Sequence, residues 1–129
     1  MTSKTSITYV GTISPHSKEY TVRIHAQHGN SMGTSALPLR LELRNHSPTG
    51  FCWGYNGSGP AQLALAILAH HLRNKERALG LYQPFKEQVI ARLPKDDGFT
   101  LQGTDVAAWV KKATEVKQAR VAEALRADK

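Results

Sequence analysis

Apolar residues change period twice along this chain, and the changes outline its elements. From Ile7 to Gly11, and again from Tyr20 to Ile24, apolar and polar positions alternate, which predicts two short strands. The polar, Pro15-containing segment between them predicts a hairpin with a longer loop. Residues 28–36, HGNSMGTSA, are rich in Gly, Asn and Ser and read as an exposed loop. Leu37, Leu39, Leu41 and Leu43 then alternate with Pro38, Arg40, Glu42 and Arg44, a period-two pattern that predicts a third strand with one buried face, Pro38 favouring its start or a sheet edge.

The period switches at residues 51–59, FCWGYNGSG, after which Pro60 opens a run to Leu72 whose polar members are Gln62, His70 and His71. A helix apolar nearly all round belongs in a core, so this segment is expected to be the central helix, starting at a strand-to-helix corner and running to about Leu79, where Gly80 would stop it. At the corner Gly57 or Gly59 is expected to adopt positive φ, and Ser58 to cap the helix. Phe85, Val89, Ile90 and Leu93 mark a further helix over 84–93, PKDDG a turn, and residues 99–101 a short strand. Thr104 and Asp105 supply a cap and a first-turn acid for a last helix reaching Ala127 without Gly or Pro. At 1.5 Å per residue it would be roughly 35 Å long, more than such a chain needs to close its core, so its final turns should project or bind something. The expected fold is α+β, one domain over residues 1–129: a small antiparallel sheet packed on the central helix, with further helices toward the C-terminal end.

Composition narrows the functional classes. A length of 129 residues with 40% hydrophobic and 21% charged residues is ordinary for a globular domain with a real core. The longest apolar run is too short to cross a bilayer and the first ten residues lack a signal-peptide core, so a cytoplasmic protein without membrane association is expected. A single Cys52 allows no intrachain disulfide. The net charge of +7 raises the prior for an acidic partner, yet it is spread out, with five Lys or Arg against two acids in residues 1–59 and twelve against eight in residues 60–129.

The GYNGSGP loop at a helix N-terminus could cradle an anion, which makes Trp53, Tyr55, Gly57, Ser58, Gly59 and Gln62 a candidate anion site. The spacing of Gly54, Gly57 and Gly59 matches neither the dinucleotide fingerprint nor a P-loop, and the stronger reading is a tight structural corner. His25 and His28 form the closest approach to a metal-ligand pair but lack a third ligand at suitable spacing, and no metal or cofactor is expected. Ser58 lacks the elbow pattern of a hydrolase nucleophile, and no acid–base or nucleophile constellation stands out, so no enzyme is expected. Trp53, Tyr55 and Trp109 could stack on bases, although at such positions aromatics more often fill a core.

The segment FCWGYNGSGPAQLALAIL resembles the signature of a family of small bacterial, phage-borne and plasmid-borne proteins of uncharacterised function that share a WGY-x-GSGPAQLAL core. The resemblance extends more weakly over residues 37–110, through the leucine-alternating stretch to Asp105–Trp109. It implies an accessory protein of mobile elements and supplies no catalytic residue. With this, the expected function is non-catalytic binding of a protein partner that is acidic or itself binds nucleic acid, inhibiting or regulating a host defence, in an anti-CRISPR-like role, or a nucleic-acid machine. The alternative is direct binding of nucleic acid by a basic surface. In either case Lys111, Lys112, Lys117 and Arg120 on the last helix are the expected contacts.

Overall fold

The computed structural model describes residues 5–127. Strands β1 (Thr5–Ile13), β2 (Tyr20–His28) and β3 (Ser31–Ala36) form a meander, followed by helices α1 (Ser58–Leu72) and α2 (Lys75–Gln88), a short 3-10 turn (Ile90–Arg92), strand β4 (Phe99–Gln102) and helix α3 (Gly103–Ala127). The sheet is antiparallel with order β3-β2-β1-β4, giving an α+β fold. Register decides which side of it is covered. Tyr9 pairs with Ile24 and Leu101, and Gly11 with Val22 and Phe99. These residues therefore share one face, and Tyr9, Val22, Ile24 and Phe99 are buried there in the core.

Helix α1 fills that core. Every residue from Gly59 to Ala69 is buried, including Gln62 at 0% exposure. Burying an unpaired amide would be costly, but Gln62 is fully paired. Its Nε2 donates to the carbonyls of Leu39 (2.6 Å) and Arg44 (3.0 Å), and its Oε1 accepts from the amides of His46 (2.8 Å) and Ser47 (3.1 Å). One side chain thereby ties an irregular loop onto the central helix.

That loop corrects two expectations. Residues 31–36, read as loop, form β3, an edge strand exposed on both faces and held by its ladder with β2, so no buried face imposes an apolar alternation on it. Residues 37–44, read as a strand, form none. Pro38 offers no ladder donor, and the chain kinks at Arg40, which adopts φ 60 and accepts a turn bond from the Leu43 amide (3.0 Å). Leu37 is still buried, and Leu39, Leu41 and Leu43 are half-buried, so the leucines face inward through a kinked loop rather than a pleat.

The helical boundaries differ as well. The expected single helix to Leu79 ends at Leu72, because Arg73 turns left-handed (φ 52) and its amide caps the Ala69 carbonyl (3.1 Å). Asn74 then caps α2, its side chain accepting from the Arg77 amide at 3.0 Å. Gly80 lies inside α2 rather than ending a helix, and Pro84 lies inside it rather than starting the helix expected over 84–93. The two are four apart, so the carbonyl that a proline ring crowds belongs to a glycine. The short strand over 99–101 and the long last helix stand where their patterns put them, except that the helix starts at Gly103, so Thr104 lies inside it rather than capping it.

Candidate binding surface

The glycine corner is a packing joint. No strand precedes it, since residues 51–53 are irregular. Trp53 is fully buried, wedged edge-on against Tyr20 and Phe99 with ring centroids 4.8 Å away in each case, and its Nε1 donates to the Asp97 carbonyl (2.8 Å). The left-handed glycine is Gly54 (φ 86), not Gly57 or Gly59. Gly57 is extended and serves as N-cap of α1 with no side-chain cap bond, so Ser58 is the first helical residue rather than the cap. A Cβ on Gly54 would stand 2.3 Å from the Lys95 Cα, and one on Gly59 2.6 Å from the Cys52 Cβ. Close approach, more than φ, explains the second of these glycines. Tyr55 is 41% exposed beneath the Lys95 ammonium, 5.7 Å from its ring centroid. Gln62 uses its whole donor and acceptor capacity on the loop, so it has none to offer a ligand.

Histidines are likewise absorbed locally. His25 and His28, three apart on β2, point to opposite faces of the sheet, and His28 Nδ1 lies 2.9 Å from the Thr5 hydroxyl. His46 Nε2 meets the Tyr82 hydroxyl at 2.8 Å, and His70 Nδ1 meets that of Tyr9 at 2.7 Å. Burial holds both His70 and His71 below their ordinary pKa, helped at His70 by Arg73 and His71 and at His71 by Arg77. Among the described residues no group of three His, Cys, Asp or Glu side chains gathers as a metal site would require.

Helix α3 is different in kind. Its first turns belong to the core: Val106 and Val110 are buried, Trp109 is half-buried against Phe85 (centroids 4.9 Å), and its Nε1 donates to Gln88 Oε1 (2.9 Å). Beyond Thr114 every described side chain is exposed, among them Val116 (44%), Val121 (54%) and Leu125 (64%). Where α3 leaves α2, a groove of about 550 Å³ opens, walled by Gly80, Pro84 and Gln88 on one side and Trp109, Val116 and Lys117 on the other. Lys112 and Arg120 also line it, whereas Lys111 does not. Three of the four expected contacts thus converge and one faces elsewhere. Gly80 faces the end of the Lys117 side chain, where an added Cβ would lie 3.4 Å from the Nζ, an ordinary contact. Sequence reasoning missed the α2 wall, since dividing α2 at Gly80 hid the face that Gly80, Pro84 and Gln88 share; the readable signal was Asn74 as a cap.

No helix among the described residues is long and apolar enough to cross a membrane. Neither a curated protein nor a solved structure matches the chain. Residues 11–112, which take in the end of β1, the other three strands, the glycine corner, α1, α2 and the first turns of α3, match a family of unknown function (DUF6166), and the chain belongs to that family.

Proposed function

We propose that this protein is a non-catalytic binding protein of the cytosol that docks an acidic protein surface along the groove and the distal half of α3. The observation that carries this reading is the exposure of Val116, Val121 and Leu125 on a helix that also carries Lys112, Lys117 and Arg120. Solvated cations alone fit many partners. Aliphatic side chains left in water beside them suit a partner with an apolar strip and an acidic rim, because burial supplies affinity while charge steers the approach. A second copy of the same cationic helix would be repelled at this surface. The resemblance of the WGY-x-GSGPAQLAL segment to proteins of mobile elements points to inhibition or regulation of a host defence or a nucleic-acid machine as the outcome of docking.

Direct binding of nucleic acid is the second reading, favoured by three cations beside Trp109 in one groove. Partner capture from the native background, with and without nuclease, followed by salt titration of Lys111→Gln, Lys112→Gln, Lys117→Gln and Arg120→Gln, separates the two. For a protein partner the loss concentrates at the three groove cations and depends moderately on salt. For nucleic acid each lost phosphate contact lowers the salt slope by about 0.7–0.9. Unchanged affinity in all four variants would remove α3 from the account.

A further inference from the structure

Independently of α3, we propose that the pocket where α1 meets α2 is an oxyanion site that takes a phosphate group, free or carried on a small organic molecule. The pocket, about 380 Å³, is lined by Arg40, Ala69, His70, Arg73, Asn74 and Lys75. Its size is at the lower end of the ~300–1,000 Å³ common for small-molecule sites. Three cationic side chains converge there from three segments: the kinked loop, the end of α1 and the start of α2. No carboxylate lines it.

The bonding of each group leaves donors for a ligand. Arg40 spends its Nε on Glu42 (2.8 Å), which leaves its two terminal nitrogens as donors. Among the described residues neither Arg73 nor Lys75 forms an ion pair. The Tyr9 hydroxyl pairs with His70 Nδ1 (2.7 Å), which leaves Nε2 as the ring nitrogen open to a ligand, a donor once the imidazole is protonated. Asn74 occupies the Arg77 amide through its side chain and the Ala78 amide through its carbonyl, so the amides of Lys75 and Glu76 have no acceptor within α2. The Ala69 carbonyl accepts from the Arg73 amide (3.1 Å), the bond that closes the end of α1 at the pocket. A tetrahedral oxyanion with several acceptor oxygens matches this donor set, and arginine forks suit phosphate in particular.

The test is a titration of the full-length protein with inorganic phosphate at constant ionic strength, followed by amide and imidazole NMR. Saturable shifts at Arg73 and Lys75 are expected, with the His70 pKa moving upward on binding. The groups around that imidazole are Tyr9 from β1, His71 from α1, Arg73 just beyond it, Arg40 from the loop with Glu42 as its ion-pair partner, and Lys75 from α2. Arg73→Gly relaxes a left-handed backbone while removing the charge, so it folds at least as well as the parent; it and Lys75→Gln should each weaken phosphate binding about tenfold. Lys117→Gln, in the other groove, should leave it unchanged. Adenosine monophosphate tighter than phosphate would identify a nucleotide as the source, and equal affinity would identify the free ion. Shifts that rise linearly without saturating, that persist in Arg73→Gly, or that adenosine reproduces would overturn the proposal.

Discussion

Helices α1 and α3 are both rich in alanine, yet the fold uses them in opposite ways. In α1 the buried stretch runs without interruption from Gly59 to Ala69, and its one polar member, Gln62, is consumed by four internal hydrogen bonds. In α3 burial stops after the first turns, and Val116, Val121 and Leu125 meet solvent. The difference teaches where selection for a partner can act. A change in α1 propagates into packing on every side, whereas the distal half of α3 can vary its face without touching the core.

The contrast is broken most severely at Gln62. Gln62→Leu strands two carbonyls and two amides of the loop, and we expect a loss of about 3–5 kcal/mol in urea unfolding. Next in size is the corner that feeds α1. Gly54→Ala combines a positive φ with a contact on the Lys95 backbone and should cost more than about 2 kcal/mol, while Gly57→Ala, which meets only the half-exposed Tyr55 ring, should cost less than Gly59→Ala. Equal denaturation midpoints for the three variants would contradict this ranking.

A smaller effect comes from acid. His70 and His71 titrate below 6.5 in the folded chain, so the unfolded chain binds more protons in the window just beneath that value. Their contribution to stability is complete above 6.5 and is lost as pH falls toward the depressed folded values. Unfolding measured from pH 7.5 to 5 should show this decline, and His70→Gln combined with His71→Gln should flatten it. The smallest effect belongs to the far end of α3: Val121→Ser with Leu125→Ser should alter stability by no more than about 0.5 kcal/mol while weakening partner binding. A large loss of stability there would mean that the distal half packs as α1 does.

Much of this contrast was legible in the pattern of residues. The apolar run of α1, the hairpin strands, β4 and the long reach of α3 follow from periodicity, because each buries a face set by its own geometry. The leucine series from Leu37 to Leu43 was misleading, since alternation reports which side chains face inward and cannot tell a pleated strand from a loop kinked at Arg40 and held by Gln62. β3 was hidden for the converse reason: an edge strand exposed on both faces carries no alternation at all. Of the expected contacts, Lys112, Lys117 and Arg120 follow from helical spacing, but the groove they line depends on the course of α2 past Gly80 and Pro84, which local signals place wrongly. The basic pocket unites Arg40 with Arg73 and Lys75 through a loop whose path is set by long-range bonds to Gln62 and Tyr82.

The pairing of β1 with β4 bears on how the chain is made. The Thr8 hydroxyl reaches Gln102 across 94 positions of sequence, and Tyr9 acquires its Leu101 neighbour at the same seam. During synthesis at about 5–20 residues per second, β1 must therefore wait roughly 5–20 seconds for its second partner to be made. Through that interval one side of β1 has no ladder and the Tyr9 ring has only part of its cover. Contacts this distant slow folding, and they make the nascent amino-terminal hairpin, rather than the finished protein, the stage most exposed to mispairing and to capture by chaperones.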